Sequence, residues 1–206
     1  MGQKINPKSL RLVQTKNWCS KWFSKKKYPE MAFEDLTIRK QILERFLPGT
    51  IESIEIERER GGDIRVLIHT PKPGVLIGRS GKGIEELKNF VEKRIQKKIK
   101  IEIIEVDRPE TIAQIVAENI GHQISKRVSY RRAVNMAMGR AKDAGVSGIK
   151  ITIAGRLGGV EIARRENFIT GSVPSQTLRF EIDFAKVDAH TKYGIIGIKV
   201  WIYKGK

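Results

Sequence analysis

Apolar residues change their period several times along the chain, and each change predicts a different element. In FEDLTIRKQILERFL (33–47), Phe33, Leu36, Ile42, Leu43, Phe46 and Leu47 share one broad face at helical spacing, and Pro48-Gly49 stops the helix. The period then falls to two. Ile54 and Ile56, then Ile64, Val66 and Ile68, fall at every second position on either side of Gly61-Gly62, with Glu55, Glu57 and Arg65 among the alternating residues, which predicts a hairpin with one buried face. The glycine-rich stretch GVLIGRSGKGIEEL (74–87) leads into a helix from about Gly83 to Lys97, striped by Ile84, Leu87, Val91 and Ile95. Ile99, Ile101 and Ile103 alternate in one more strand.

Asp107-Arg108-Pro109-Glu110 reads as a boundary, with a proline and an acid suited to a first helical turn. A helix from about Glu110 to Arg127 follows, and a second runs from near Tyr130 to before Gly145. GIKITIAG, FITGSV, LRFEIDF and IIGIKVWIY then read as strands. In the last, Ile196, Ile198, Val200 and Ile202 face the core, with Trp201 and Tyr203 on the other side. The expected fold class is α+β. It comprises a basic arm (1–30), an α-β-β-α-α-β domain (31–107) and a C-terminal α/β domain (108–206) with two helices on a mostly antiparallel sheet.

Charge narrows the function. Lys and Arg number 40 against 23 acidic residues, a formal net charge of +17, which favours polyanionic partners. Residues 1–30 carry eight basic residues and a single acid, Glu30. There Lys25, Lys26 and Lys27 sit beside Trp18, Trp22, Phe23 and Tyr28, a mixture suited to phosphate contact and base stacking. Lone Cys19 forms no internal disulfide, and His69, His122 and His190 have no metal-ligand spacing, so no metal or cofactor is expected. No apolar run reaches the ~18 residues of a membrane span, and MGQKINPKSLRL lacks a signal-peptide core. No carboxylate pair marks an acid–base site, so no enzymatic activity is expected.

The glycine stretch is not a nucleotide loop. Before Gly81-Lys82 the P-loop glycine position holds Leu76, and Gly83 stands where a magnesium-binding hydroxyl belongs. The Gly78, Gly81, Gly83 spacing reverses the dinucleotide fingerprint, and no parallel βαβ unit surrounds it. What remains is Gly78-Arg79-Ser80-Gly81 followed by Lys82, a G-x-x-G loop between two helices. With the helix–strand–strand preface it resembles a type II K-homology (KH) domain, whose loop clamps single-stranded backbone.

YRRAVNMAMGRAKDAGVSGIKITIAGRLGGVEIARRE, with the opening MGQKINPKSLRL and the ending YGIIGIKVWIYKG, resembles the bacterial and organellar family of ribosomal protein three of the small subunit. The resemblance runs from Met1 to Gly205. It implies a structural role in the head of the small subunit, bound to small-subunit rRNA and lining the tunnel where mRNA enters, where the family helps hold or unwind mRNA. It also implies small-subunit proteins ten and fourteen as neighbours, with four and five across the mRNA path. No membrane partner and no homo-oligomer are expected. The implied location is the cytoplasm, or an organelle stroma for a plastid-encoded chain.

On a helix Arg131, Arg132, Asn135 and Lys142 fall within roughly 100° of arc, opposite Val134, Ala137, Met138 and Ala141. The resemblance places the first three at positions facing mRNA, with Asn135 standing where the family commonly has a third basic residue; Lys142 lies further along the same face. Lys4, Lys8, Arg11, Lys25, Lys26 and Lys27 in the arm, and Arg156, Arg164 and Arg165 around Gly155–Gly159, are the expected rRNA contacts. Glu161 and Glu166 are alternative partners for the last three arginines.

Overall fold

The computed structural model describes residues 4–12, 14–58 and 63–205, with Ser80 described by its main chain only. The Gly61-Gly62 turn, the first three residues of the opening segment and the Ser80 side chain lie outside the described residues. The chain forms two compact units. One is Trp18–Asp107, and the other joins Met1–Asn17 to Arg108–Lys206.

The first unit is built on a four-stranded sheet. Its elements are β1 (Ser20–Lys21), α1 (Tyr28–Arg45), β2 (Ser53–Arg58), β3 (Ile64–Thr70), α2 (Pro73–Ile77), α3 (Lys82–Ile95) and β4 (Ile99–Glu105). The strands lie in the order β1-β2-β3-β4; β2 and β3 are antiparallel, while β1 and β4 pair parallel to their neighbours. This is the KH arrangement α-β-β-α-α-β with one short extra edge strand. Ile38, Ile42, Ile54, Ile56, Val66, Ile68, Leu76, Leu87, Val91 and Ile99 close its core.

Helix α1 departs from its expected face. It starts at Tyr28, with Pro29 in its first turn, and buries Asp35, Ile38, Gln41 and Ile42. Phe33, Leu36, Leu43 and Leu47 are exposed instead. A buried carboxylate decides the orientation. Asp35 accepts hydrogen bonds from Trp22 Nε1 at 2.7 Å, Ser20 Oγ at 2.8 Å and Arg58 Nε at 3.1 Å. Those three donors satisfy a charge that would otherwise be costly to bury.

The second unit has α4 (Ala113–Ser125), α5 (Tyr130–Asp143), β5 (Gly148–Gly155), β6 (Arg164–Gly171), β7 (Ile182–Thr191) and β8 (Gly194–Tyr203). The sheet order is β6-β5-β8-β7, and all three pairings are antiparallel. Ile149, Ile151, Ile153, Ile196, Ile198, Val200 and Ile202 point at the helices and are buried, as the alternation of two predicts.

The helix expected from Glu110 is split. Pro109–Thr111 forms a 3-10 turn, Ile112 is extended, and α4 begins at Ala113. The cause is a cap from far along the chain: Ala113 N–H donates to Asp183 Oδ2 at 2.7 Å. Strand β7 starts four residues later than LRFEIDF suggests, and β6 starts at Arg164 rather than Phe168.

The expected 1–30 arm is likewise divided. Residues up to Asn17 belong to the second unit and those from Trp18 to the first. Arg11 explains the first attachment. It is fully buried and donates to the carbonyls of Pro7, Ser175, Thr177 and Phe180 at 2.8–3.2 Å. Lys8 and Lys16 both reach Asp183 Oδ1, at 3.0 and 2.9 Å.

Candidate nucleic-acid interface

Two helices meet at the G-x-x-G loop. Gly78 closes α2, its N–H donating to Gly74 O at 3.0 Å, and Arg79–Gly81 forms a single 3-10 turn before α3. Gly78 and Gly81 hold φ of +69° and +80°, the left-handed region that favours glycine. Gly83 serves a different end. A Cβ there would lie 2.7 Å from Leu76 O and 2.9 Å from Ile77 O, so glycine lets α3 begin against the last turn of α2. As N-cap of α3, Gly81 has no side chain to occupy the helix's first N–H groups. Arg79 and Lys82 are exposed beside them. Val75, Ile77 and Ile104 of the same unit are exposed apolar side chains.

On α5 the two faces separate as the spacing predicts. Ala133, Val134 and Ala141 are buried, with Ala137 and Met138 partly so. Arg131, Arg132, Asn135 and Lys142 are all exposed. Arg140, which spacing alone left out, is exposed at the far edge of the same face. Arg131 is not fully free. Its Nη2 lies 3.4 Å from Glu166 Oε1, and the same oxygen accepts the Tyr130 hydroxyl at 2.9 Å. The hydrogen bond to Glu166, followed by the influence of Tyr130, raises the Arg131 pKa above its ordinary value. Arg132 has no carboxylate partner among the described residues.

The same contact takes Glu166, one of the two acids offered to the arginines of the 155–159 loop, toward α5. Glu166 is committed to α5, so Arg164 and Arg165 stand exposed at the start of β6 without an ion pair among the described residues. Arg156 differs. Its Nε donates to Val160 O at 2.9 Å, its Nη1 to Tyr193 O at 3.4 Å, and its guanidinium lies 5.6 Å from the Tyr193 ring. It braces the loop against the β7–β8 turn more than it reaches outward.

The arm cations sort in the same way. Lys4, Lys25, Lys26 and Lys27 are exposed, and Phe23 beside them is 83% exposed. Lys8 is tied to Asp183, and Arg11 is withdrawn from solvent altogether. Arg11 is therefore corrected from a phosphate contact to an internal brace. The long-range carbonyls that hold it leave no trace in local sequence. Trp22 is likewise half-buried against Asp35, leaving Trp18, Phe23 and Tyr28 as the exposed aromatic side chains of that segment.

No group of three or more His, Cys, Asp or Glu that could hold a metal ion occurs among the described residues. No helix there is long and apolar enough to cross a membrane.

Comparison with known proteins agrees with this geometry. Residues 37–111 match the KH domain family, and residues 120–202 match the family described as Ribosomal protein S3, C-terminal domain. A small ribosomal subunit protein uS3 from Maridesulfovibrio salexigens is 50% identical over 206 residues, covering all of this chain and 96% of the relative. The proteins of that name from Oleidesulfovibrio alaskensis and Alkaliphilus oremlandii are 48% and 46% identical, covering all of this chain and 96% and 87% of those relatives. With relatives of one name along its whole length and a matching family in each half, the chain belongs to the small ribosomal subunit protein uS3 family.

Proposed function

We propose that this protein, a non-enzymatic constituent of the small ribosomal subunit, binds small-subunit rRNA in the head and lines the tunnel where mRNA enters, where it holds mRNA and helps unwind it. The observation that carries the mRNA role is the exposed side of α5. Arg131, Arg132 and Lys142 project from a helix whose opposite side is locked into the core. A rigid row of cations attracts phosphate without base preference, which suits a strand whose sequence changes at every step. Asn135 leaves a gap in that row and softens its grip.

The rRNA contacts are assigned to Lys4, Lys25, Lys26, Lys27, Arg164 and Arg165, with Lys8 and Arg156 as lesser contributors because both already hold partners within the chain. The G-x-x-G loop, with Arg79 and Lys82, is a further backbone clamp. Proteins ten and fourteen of the small subunit are the proposed neighbours, with four and five across the mRNA path. The proposed location is the cytoplasm, or an organelle stroma for a plastid-encoded chain.

The test is Arg131→Ala with Arg132→Ala in reconstituted translation. Slowing confined largely to mRNA with stable secondary structure is expected; equal slowing of structured and unstructured mRNA would overturn the α5 role.

A further inference from the structure

The sheet of the second unit has a second face that the helices leave uncovered. Helices α4 and α5 pack on the side of Ile149, Ile151, Ile198 and Val200, so the alternating residues point the other way. Strand register arranges them in rows. One row runs Ile169, Lys150, Trp201, Phe184 across β6, β5, β8 and β7. The next runs Asn167, Thr152, Lys199, Lys186. The Phe184 and Trp201 rings lie 5.1 Å apart, and Lys150 Nζ stands 5.5 Å from the Trp201 ring.

Two features of this face point to a polyanion. Lys186 and Lys199 are directly opposed across β7 and β8, and both are exposed. Like charges in that position destabilise a sheet unless something neutralises them. Among the described residues the nearby acid is Asp188, whose carboxylate is 3.9 Å from Lys186, half-exposed and shared by no other cation. Arg165, in the following row, adds a further exposed cation. The second feature is spacing. The lysine row lies two residues along the strands from the aromatic row, roughly 7 Å, so cations and rings stand side by side as they do on single-strand-binding surfaces.

We propose that this helix-free sheet face, on which Lys186 and Lys199 are exposed and Phe184 and Trp201 half-buried, is an RNA-binding platform separate from the G-x-x-G loop and from α5. Trp201 and Phe184 receive a base, and Lys186 and Lys199 take the adjoining phosphates. The proposal rests on the reading of the chain as an RNA-bound ribosomal protein.

The test uses the full chain and a single-stranded twelve-nucleotide oligouridylate. Lys186→Ala with Lys199→Ala should weaken binding about ten-fold at ~0.1 M salt, and should lower the slope of log affinity against log salt by about 1.4, the value for two phosphates on a single strand. The control, Lys40→Ala with Lys100→Ala, loses the same net charge and should change affinity less than two-fold. Ultraviolet crosslinking in a Gly81→Asp, Arg131→Ala, Arg132→Ala background should mark the tryptic peptide 200–204, which holds Trp201. Equal losses in the two lysine pairs, or crosslinks that avoid that peptide, would overturn the platform. So would a photocrosslinker at Lys186 capturing protein and no RNA in assembled small subunits. The loop and α5 assignments fail on a different pattern, namely a triple variant that binds as well as the parent chain.

Discussion

Lys16 Nζ lies 2.9 Å from Asp183 Oδ1, joining the segment before Asn17 to the first residues of β7. Lys8 reaches the same oxygen, and Asp183 Oδ2 caps α4 through the N–H of Ala113. Burial opposes ionisation of this carboxyl. The charges of Lys8 and Lys16, the Lys16 hydrogen bond and the Ala113 N–H outweigh it and hold the pKa at about 2, below the ordinary 3.8. A carboxylate depressed in the folded state stabilises fully above its unfolded value and loses that contribution as pH falls through the folded one. We expect roughly 2 kcal/mol of stability to be present above about pH 4 and lost toward pH 2. Urea titrations of the parent chain and Asp183→Asn between pH 2 and 6 would show it as a stability gap that closes on acidification.

Arg11 makes a separate prediction. Its guanidinium holds carbonyls from Ser175, Thr177 and Phe180 to the chain's opening segment. Arg11→Ala leaves buried acceptors unpaired and should cost about 2–4 kcal/mol. Arg11→Lys should recover little, because an ammonium cannot span the same fork. Thermal melts would report both. Proteolysis within 172–181 should accelerate in the same variants.

Gly83 and Gly81 should respond differently to alanine. At Gly83 a Cβ collides with backbone oxygens of α2, whereas at Gly81 it meets nothing within 4 Å and meets only the strain of φ +80°. Gly81→Ala should cost about 1–2 kcal/mol. Gly83→Ala should cost more and loosen the α2–α3 corner, visible as faster amide exchange at Leu76 and Ile77.

Glu166 should act as a brake on α5. It accepts from Arg131 and Tyr130, so Glu166→Gln removes the competing charge while keeping the acceptor oxygen. Single-stranded RNA should then bind more tightly, with a steeper salt dependence. Asn135→Lys should act in the same direction, adding about 0.7 to the slope for one more phosphate contact. Titrations across a salt series would measure both variants.

Much of the fold was legible because its signals are local. Alternation set the faces of β5 and β8, and the G-x-x-G spacing marked the α2–α3 corner. The α5 face was legible too, since 3.6-residue periodicity separates Val134 and Ala141 from Arg131 and Lys142. The misjudged helices and Arg11 share one cause, a partner outside the stretch being read. Asp183 lies 70 residues from the N–H that it caps, and Arg11 reaches a carbonyl 169 residues ahead. Asp35 turned α1 by collecting donors from β1 and β2, so the apolar spacing of Phe33, Leu36 and Leu43 was misleading. Glu166 could have been matched with any arginine nearby, and only the packing of Tyr130 selects Arg131.

The division of the chain carries a consequence for the order of its own synthesis. Trp18–Asp107 is contiguous and can close once its last strand has left the exit tunnel. Arg11 leaves earlier, yet three of the four carbonyls that receive it are made more than 160 residues later. Until then Arg11 has only the neighbouring Pro7 carbonyl to hold it. The second unit is thus completed only when Lys8, Arg11 and Lys16 meet the 175–183 stretch, so its closure waits on acceptors synthesised long after them.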